Sequence, residues 1–367
     1  MKSKILFIMH MPPPMHGAAQ MGQYIHDSKL ISESFECRYF NPSASTNVNQ
    51  VGHLSLKKIK FLFSSILKIV KIVDEWKPDL VYITPAVGGG WGFYRDFITL
   101  QILKRKKCNI VAHFHNRPPK SILKKWHRKK LYAVFFNKIK SIFLSNRLVA
   151  DFNQYLDSKE YYICPNGIPL CPNVLNLLRH NHEYTFFFLS NMMVGKGVYD
   201  LLNACKILKD KGYRFKCDFV GKWADIQEND FEKRKTSLGL DSCVFAHGAK
   251  YGAEKEPFFL QSDCFVFPTF YQGETFGLVL LEAMGYSLPV ITTNIAGIPD
   301  IVENDKNGFC VKPRCPEALA EKMAWMIEHP EDGGRMGIFG RKILEEKFTL
   351  KKYESNICSI LKDCLRK

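Results

Sequence analysis

Short apolar runs alternate with helix-compatible segments along almost the whole chain, and this alternation limits the possible folds more than any other feature. Six strand-like runs occupy the first half of the chain and six occupy the second half. Helical patterns between successive strands are typical of βαβ units on a parallel sheet. The sequence therefore predicts an α/β protein with two doubly wound domains. The predicted strands are 4–9, 35–40, 79–83, 109–114, 141–144, 161–164, 184–189, 215–220, 243–246, 264–267, 289–292 and 308–311, and the clearest helices are 18–30, 197–211, 226–238, 275–285, 316–328 and a last one after Leu350.

Length and composition agree with two domains. A chain of 367 residues exceeds what one hydrophobic core usually organises, and 46% apolar residues suffice for two cores. The stretch 166–182 contains prolines and asparagines without clean periodicity, and predicts a linker. We therefore expect domains over 1–165 and 183–345, followed by a separate C-terminal segment, 346–367. A cleft between two such domains is the default ligand site.

The net charge of +16 lies entirely in the first half of the chain. Residues 1–170 contain 26 Lys and Arg against 10 Asp and Glu, whereas the remainder contains 26 of each. Three basic segments, 57–71, 104–107 and 124–130, mix these charges with apolar or aromatic residues in predicted helices. Such segments suit an anionic membrane surface, nucleic acid or simply solvent. Of these, we expect an anionic membrane surface as the partner and no nucleic acid.

The chain shows no clear targeting or membrane-spanning signal. The first nine residues imitate a signal peptide only until His10 and the following prolines interrupt the apolar run. No segment approaches 18 uninterrupted apolar residues. The twelve cysteines lack Cys-x-x-Cys pairs and zinc-like spacing, which is typical of reduced thiols. We expect a cytoplasmic protein that binds peripherally to the inner face of the cytoplasmic membrane.

The segment 263–313 carries the most chemical information. A buried strand leads through a loop to a helix that should open near Phe276, and the free amides of a helix N-terminus can bind a diphosphate. Gly273 and Gly277 would let the backbone approach such a ligand closely. Glu282 lies about 9 Å along this helix, which approximates the reach from a diphosphate to a ribose. Since an unpaired carboxylate among apolar residues is costly, ligand hydroxyls are a good explanation for Glu282.

A family resemblance becomes specific at this segment. Gly-Glu-Thr-Phe-Gly-Leu-x3-Glu-Ala-Met-Gly over 273–285, with Pro-Val-Ile-x-Thr and Gly-Ile-Pro-Asp-Ile-Val after it, resembles the retaining GT-B glycosyltransferases of the large group 1 family, glycosyltransferase family four. The Pro-rich loop 12–17, Asn166-Gly167-Ile168 and the loop 190–197 are also similar. The resemblance implies a GT-B fold, in which two Rossmann-like domains face each other across a cleft and the C-terminal segment packs back on the N-terminal domain.

The same resemblance assigns the site residues. Lys196 corresponds to the family's diphosphate-binding lysine, and such a cation can offset the charge that develops on a departing nucleoside diphosphate. Two positions depart from the family pattern, because Asn191 stands where an arginine is common and His16 replaces the first glycine of the N-terminal loop. Glu274, before the helix, should face the sugar. The implied catalytic residues are Glu274, His115 and Lys196, and the implied donor-binding residues are Gly17, Asn191, Lys196, Glu274, Phe276, Gly277, Leu278 and Glu282.

Candidate acceptor contacts lie in the first half of the chain. His113 and His115 share one face at the tip of a predicted strand. Similar proteins have a histidine beside the donor sugar at the end of this strand, and His115 is the better match. His113 is either an acceptor contact or a histidine satisfied by the backbone. Arg95 is a further candidate for a contact with the acceptor. For Asp96, an ordinary ion pair is the favoured interpretation.

The sequence contains no Asp-x-Asp, no P-loop and no Gly-x-Gly-x-x-Gly after the first strand. We therefore expect no metal, no cofactor and a diphosphate site built from Lys196 and helix amides. The predicted function is transfer of a sugar, with retention, from a UDP- or GDP-linked donor to a hydroxyl of a glycan or lipid-linked glycan in bacterial surface-polysaccharide biosynthesis. Alternatives are a non-catalytic GT-B-like protein that binds a membrane or a partner, a nucleic-acid-binding protein, and a phosphorylase or nucleotide-sugar epimerase on the same fold.

Overall fold

The computed structural model describes residues 2–13, 16–42, 56–88, 90–118, 122, 126–156, 161–171 and 183–366. The chain divides into two compact units. Unit 1 comprises Met1–Asn166 and Leu350–Lys367, and unit 2 comprises Gly167–Thr349. The division therefore falls at the start of the predicted linker, and the C-terminal segment from Leu350 belongs to unit 1. Residues 172–182 of the predicted linker lie outside the described residues.

Unit 1 is built on a six-stranded parallel sheet in the order β2-β1-β3-β4-β5-β6. The register places Phe7 of β1 beside Tyr39 of β2 on one side and Tyr82 of β3 on the other. The strands are β1 (Lys4–Ile8), β2 (Glu36–Phe40), β3 (Leu80–Ile83), β4 (Ile110–Phe114), β5 (Lys140–Phe143) and β6 (Tyr161–Ile163), and the helices are α1 (Gly17–Asp27), α2 (Lys29–Ser34), α3 (Leu56–Trp76), α4 (Trp91–Arg105), α5 (Trp126–Phe136) and α6 (Asn146–Val149).

Unit 2 repeats this architecture, with the sheet order β12-β11-β10-β7-β8-β9. Every residue of β7, Thr-Phe-Phe-Phe-Leu, is buried, as expected for a parallel strand covered on both faces. The strands are β7 (Thr185–Leu189), β8 (Lys216–Val220), β9 (Val244–Ala246), β10 (Cys264–Phe267), β11 (Val290–Thr293) and β12 (Gly308–Val311), and the helices are α7 (Val198–Asp210), α8 (Glu228–Ser237), α9 (Glu256–Gln261), α10 (Leu278–Gly285), α11 (Pro316–Glu328) and α12 (Pro330–Lys347).

The last helix, α13 (Leu350–Leu365), contacts α1 and α2 of unit 1. Right-handed crossovers place α1 and α2 on one face of the unit 1 sheet and α3, α4 and α5 on the other. The core agrees with this arrangement, because Val73 of α3, Leu100 of α4 and Phe135 of α5 belong to one cluster against the sheet. Within the described residues, none of the helices combines the length and apolar character needed to cross a bilayer.

The twelve predicted strands and the two parallel sheets are confirmed. Helix α12 was not predicted, because its sequence contains four glycines, which disfavour a helix interior. Packing explains one of these glycines, Gly337. A Cβ at Gly337 would lie 2.0 Å from the carbonyl oxygen of Ser287, so only glycine allows α12 to approach the end of α10 this closely.

Candidate functional site

The candidate site of unit 2 lies at the carboxyl ends of β7 and β10. These strands are neighbours in the sheet, although β8 and β9 separate them in the chain. The chain order reverses between them, and open α/β sheets bind ligands at such a point. The loop after β7 carries Asn191 and Lys196, and the loop after β10 carries Glu274. The two loops are joined by a hydrogen bond, in which the Phe270 amide donates to the Gly195 carbonyl at 2.8 Å.

Lys196 and Glu274 form a direct ion pair across these loops. The distance from Lys196 Nζ to Glu274 Oε2 is 2.7 Å, and both side chains are largely buried. The other carboxylate oxygen, Oε1, accepts the Thr275 amide at 3.3 Å. Gly197, directly after the lysine, has a φ of +82°, and a Cβ there would lie 2.2 Å from the Pro268 carbonyl oxygen. The glycine therefore lets the two loops come close enough for Lys196 and Glu274 to meet.

Helix α10 begins later than predicted. Gly277 has a φ of +80°, which an α-helix does not contain, so the helix starts at Leu278 rather than near Phe276. Glu282 is therefore about 6 Å along the axis from the first helical residue, not 9 Å. Gly277 forms no side-chain cap, and the Leu278 and Val279 amides have no acceptor within the helix, whereas the Leu280 amide donates to the Gly277 carbonyl at 2.9 Å. Phe276 is buried and packs edge-on against Phe348, so its side chain is a core contact.

Glu282 is not the unpaired carboxylate that the sequence indicated. Lys255 Nζ donates to its Oε2 at 2.5 Å, and both side chains are only partly exposed. The argument that Glu282 needs a ligand to compensate its charge is therefore wrong in that form. No sequence pattern indicated Lys255, which lies 27 residues earlier in the chain and in a charged loop that is typical of a solvated surface.

Tyr271 is a second residue that the sequence analysis missed. Its ring lies with its centre 4.9 Å from Lys196 Nζ, while the Phe267 ring lies 5.4 Å away. A Cβ at Gly273 would approach the Tyr271 ring to 2.8 Å. An aromatic residue in a loop at a strand end, next to a glycine, is a signal that could have identified it. Asn191 is exposed at the end of β7, and its neighbour Met192 donates its amide to the Lys222 carbonyl at 2.8 Å.

In unit 1, His113 is a core residue. Its side chain is fully buried, and its Nδ1 lies 2.7 Å from the Tyr82 hydroxyl in a hydrogen bond. Burial, together with the neighbouring charge of His115, lowers the pKa of His113 well below its usual range. The predicted acceptor contact at His113 is therefore not supported, because no part of the imidazole is accessible.

His115 lies beside two further histidines at the carboxyl edge of the unit 1 sheet. It is partly buried, and burial, then the charges of His10 and His16, lowers its pKa to about 3. His10 follows β1, and its pKa is lowered to about 4, chiefly by burial and then by the Arg95 charge. His16 is exposed at the N-terminus of α1, where its Nδ1 accepts the Ala19 amide at 3.2 Å.

Gly17 is the first residue of α1 and is exposed. Its neighbour His16 caps this helix in place of the family's first glycine, so the imidazole lies directly beside the one glycine that the loop retains. Pro14 and Met15 of this loop lie outside the described residues.

Arg95 is a structural residue rather than a free acceptor contact. Its guanidinium donates to both carboxylate oxygens of Asp96, at 2.7 and 2.9 Å, and to the Pro42 carbonyl at 2.9 Å. Both side chains are buried, and Asp96 also accepts the Ala86 amide at 2.8 Å. The pair therefore ties the loops after β2 and β3 to α4, and little of the guanidinium remains for an acceptor. Gly89, in the same predicted flexible loop, lies outside the described residues.

The structure thus brings Lys196, Glu274 and the N-terminus of α10 together in unit 2, with Glu282 farther along the same helix. His115 and Gly17 lie at the sheet edge of unit 1. Within the described residues, no group of three or more His, Cys, Asp or Glu side chains is arranged to hold a metal ion.

Comparison with known proteins finds a family match within unit 2. Residues 176–343 match the model of the glycosyl transferases group 1. The capsular polysaccharide biosynthesis glycosyltransferase CapM of Staphylococcus aureus is 31% identical over 172 residues, which cover 46% of this chain and 43% of CapM. The sulfoquinovosyl transferase SQD2 of Arabidopsis thaliana is 25% identical over 370 residues, which cover 91% of this chain and 62% of SQD2. The chain thus spans less than two thirds of each of these relatives.

Solved structures share the fold over the whole chain. The crystal structure of Anabaena Alr3699/HepE in complex with UDP superposes with a TM-score of 0.75 at 18% identity, covering 99% of this chain and 100% of that chain. The sucrose-phosphate synthase of Thermosynechococcus elongatus superposes with a TM-score of 0.74 at 15% identity, covering 99% of both chains. At these identities the likeness shows the fold alone, and it confirms the predicted GT-B fold.

Proposed function

Because the chain has the GT-B fold and carries a group 1 glycosyl transferase domain over residues 176–343, we propose that it transfers a sugar from a nucleoside-diphosphate sugar to a hydroxyl of a glycan or lipid-linked glycan. The reaction proceeds with retention of configuration and without a metal ion, and it contributes to bacterial surface-polysaccharide biosynthesis. The names of relatives such as CapM support the polysaccharide assignment. The donor carries UDP or GDP.

The ion pair between Lys196 and Glu274, at the point where the strand order reverses, carries this proposal. A lysine held there can stabilise the negative charge of a leaving diphosphate. The uncapped amides at the start of α10 can stabilise the same charge. The pair holds the ammonium in place before the ligand binds, so little reorganisation is needed when the diphosphate arrives.

In the proposed reaction, the bond between the anomeric carbon and the diphosphate oxygen breaks, and its electrons leave with the diphosphate toward Lys196. The acceptor hydroxyl oxygen forms the new bond to the anomeric carbon, and its proton passes to the departing phosphate. Glu274 stabilises the positive charge that develops on the sugar. In unit 1, neutral His115 can donate a hydrogen bond to a substrate hydroxyl. The low pKa of His115 keeps this imidazole neutral at physiological pH.

The experiment is incubation with a panel of UDP- and GDP-linked sugars and lipid-linked acceptors, with nucleotide release and the anomeric configuration of the product as readouts. We expect release with one donor, an unchanged anomeric configuration and no effect of a chelator. Absence of nucleotide release with every donor and acceptor would contradict the enzymatic proposal.

The proposed site of action is an anionic membrane. The protein contacts this membrane through the outer side of α3, α4 and α5. These helices carry the three basic segments predicted from the sequence, and they lie on the same face of the sheet. Between Asp96 and Asp151 the sequence has 14 Lys and Arg and no acidic residue. The side chains of Lys57 and Lys58, and residues Lys124 and Lys125, lie outside what the structure describes.

Exposed apolar side chains interrupt this basic surface. Phe63 and Leu67, one turn apart on α3, are 63% and 68% exposed, and Lys60 and Lys71 lie on the same side of the helix. On α5, Trp126 is 69% exposed. Other exposed apolar residues on this face are Tyr94, Ile98 and Val134, and the Arg128 guanidinium stacks on Tyr94 at 4.9 Å. Insertion of apolar side chains between basic residues is the pattern that binds acidic headgroups, at roughly 1 kcal/mol per basic residue.

Sedimentation with lipid vesicles tests this surface. Vesicles of phosphatidylglycerol and phosphatidylcholine should bind the protein and release it in salt, because screening removes the headgroup attraction. The double variant Phe63→Ser with Leu67→Ser should reduce partitioning about tenfold or more, since insertion of each side chain contributes about 1.5–3 kcal/mol. The matched control is Ile338→Ser, at an exposed apolar position of unit 2. Equal binding to pure phosphatidylcholine vesicles at high salt would contradict the electrostatic origin.

A further inference from the structure

We propose that Lys255 and Glu282 act together as the ribose-binding pair of the donor site. Glu282 accepts a hydrogen bond from the 3′-hydroxyl of the ribose, and Lys255 donates one to the 2′-hydroxyl. This inference rests on the proposed function, because it assigns a ligand group to the same donor site. It adds a residue that neither the motif nor the charge pattern indicated.

Both members of the pair keep hydrogen-bonding groups that a ligand can use. Lys255 Nζ contacts Oε2 of Glu282 at 2.5 Å, and within the described residues no hydrogen bond reaches Oε1. A lysine ammonium has three N–H donors, of which this contact uses one. The pair therefore offers one acceptor and further donors next to each other. Two adjacent hydroxyls, each able to donate and accept, complement that combination.

Charge balance explains why a lysine is needed here. Glu282 lies about 6 Å along α10 from the amides that are proposed to hold the diphosphate. A lone carboxylate at that range would repel the phosphate charges. Pairing with Lys255 balances the charge of Glu282 and leaves the carboxylate able to accept hydrogen bonds. Lys255 is thus both a ligand contact and the group that allows an anion and Glu282 to share one helix.

Lys255 is held in place by its surroundings. It ends the short 3₁₀ turn Gly252–Lys255, in which the Tyr251 amide donates to the Glu254 carboxylate at 3.1 Å. The following helix, α9, is fixed to the end of α10 by Phe259, whose buried ring stacks on Tyr286 at 4.8 Å between centres. Because α9 and α10 are packed together through these rings, Lys255 remains beside Glu282 without a ligand.

A comparison of ribose and deoxyribose ligands tests the inference. The dissociation constants of UDP and 2′-deoxy-UDP, and of GDP and 2′-deoxy-GDP, are measured by calorimetry for the wild type, Lys255→Met, Lys255→Arg and the control Lys233→Met at an exposed lysine of α8. We expect the wild type and Lys233→Met to prefer the ribonucleotide about tenfold, which corresponds to one hydrogen bond to a charged group. Lys255→Met should lose most of this preference, and Lys255→Arg should retain most of it.

The outcomes separate this inference from the proposed function. If Lys255→Met weakens both ligands equally and keeps the wild-type preference, Lys255 does not contact the ribose and the inference is overturned. The same conclusion follows if Lys255→Met binds like the wild type. If the wild type binds neither nucleotide, the donor site itself is wrong. Thermal unfolding of each variant distinguishes loss of the contact from loss of the fold.

Discussion

Each glutamate of the proposed donor site has a lysine within hydrogen-bond distance, although the sequence indicated only one of the two lysines. Lys196 was identified by its family motif, and its contact with Glu274 then follows from the adjacency of β7 and β10. Lys255 lies in a loop without a motif, so no local pattern could connect it with Glu282. Side-chain pairings between distant segments depend on packing, which periodicity and composition do not record.

Removal of the Lys196 charge should affect the chemical step. We expect Lys196→Met to lower kcat for sugar transfer by about 10²–10³, because the variant loses a positioned cation at the leaving group. Glu274→Gln should lower kcat as well, since a neutral amide stabilises developing positive charge less well. Lys233→Met is the charge-matched control and should retain the wild-type kcat. Equal rates for Lys196→Met and wild type would show that the lysine has no part in transfer.

The buried histidines of unit 1 should make the stability of the protein depend on pH. The folded-state pKa of His10 is about 4, whereas an unperturbed histidine has a pKa near 6.5. Between these values the unfolded chain binds more protons, so the free energy of unfolding should fall as the pH decreases through this window. His10 Nε2 lies 3.2 Å from the Arg95 guanidinium. His10→Gln, which keeps an acceptor for Arg95, should make that decrease shallower by up to about 1.4 kcal/mol per pH unit. Denaturant unfolding between pH 4 and 7 measures this, and an unchanged slope would refute the assignment.

The strands were predicted more completely than the helices. The strands are continuous apolar runs bounded by polar loops, and this signal located all twelve. The start of α10 was misplaced because Gly277 was treated as part of the helix, whereas its φ of +80° excludes it. Helix α12 was missed because it contains four glycines, of which Gly337 is required by a close contact with Ser287 and not by helix propensity.

The two kinds of glycine in α12 give a matched test. Gly337→Ala should destabilise the protein by about 1–3 kcal/mol, because the added methyl group overlaps the Ser287 carbonyl. Gly334→Ala lies in the same helix with open space around it, and should stabilise by up to about 1 kcal/mol through helix propensity. Chemical denaturation measures both changes. The same change in sign and size for both variants would argue against the close contact between α12 and the end of α10.

At the scale of the whole molecule, the fold class follows from the alternation of strands and helices, and the family resemblance follows from the motif at 273–285. The uneven charge was also visible in the sequence, but its arrangement was not. Crossover handedness gathers three separate basic segments onto one face of unit 1, next to the exposed rings of Phe63 and Trp126. Composition alone did not distinguish between a membrane, nucleic acid and solvent as the partner of this surface, because composition does not show which charges become neighbours.

The central claim is that unit 2 holds a nucleoside diphosphate between Lys196, the start of α10 and Glu282. Calorimetric titration of the wild type and Glu282→Ala with UDP and GDP tests it most directly, with Glu321→Ala as the control at an exposed glutamate of the same unit. We predict that one nucleotide binds the wild type and Glu321→Ala equally, and that Glu282→Ala binds it at least about tenfold more weakly. Equal affinity in Glu282→Ala, or no binding of either nucleotide to the wild type, would contradict the account.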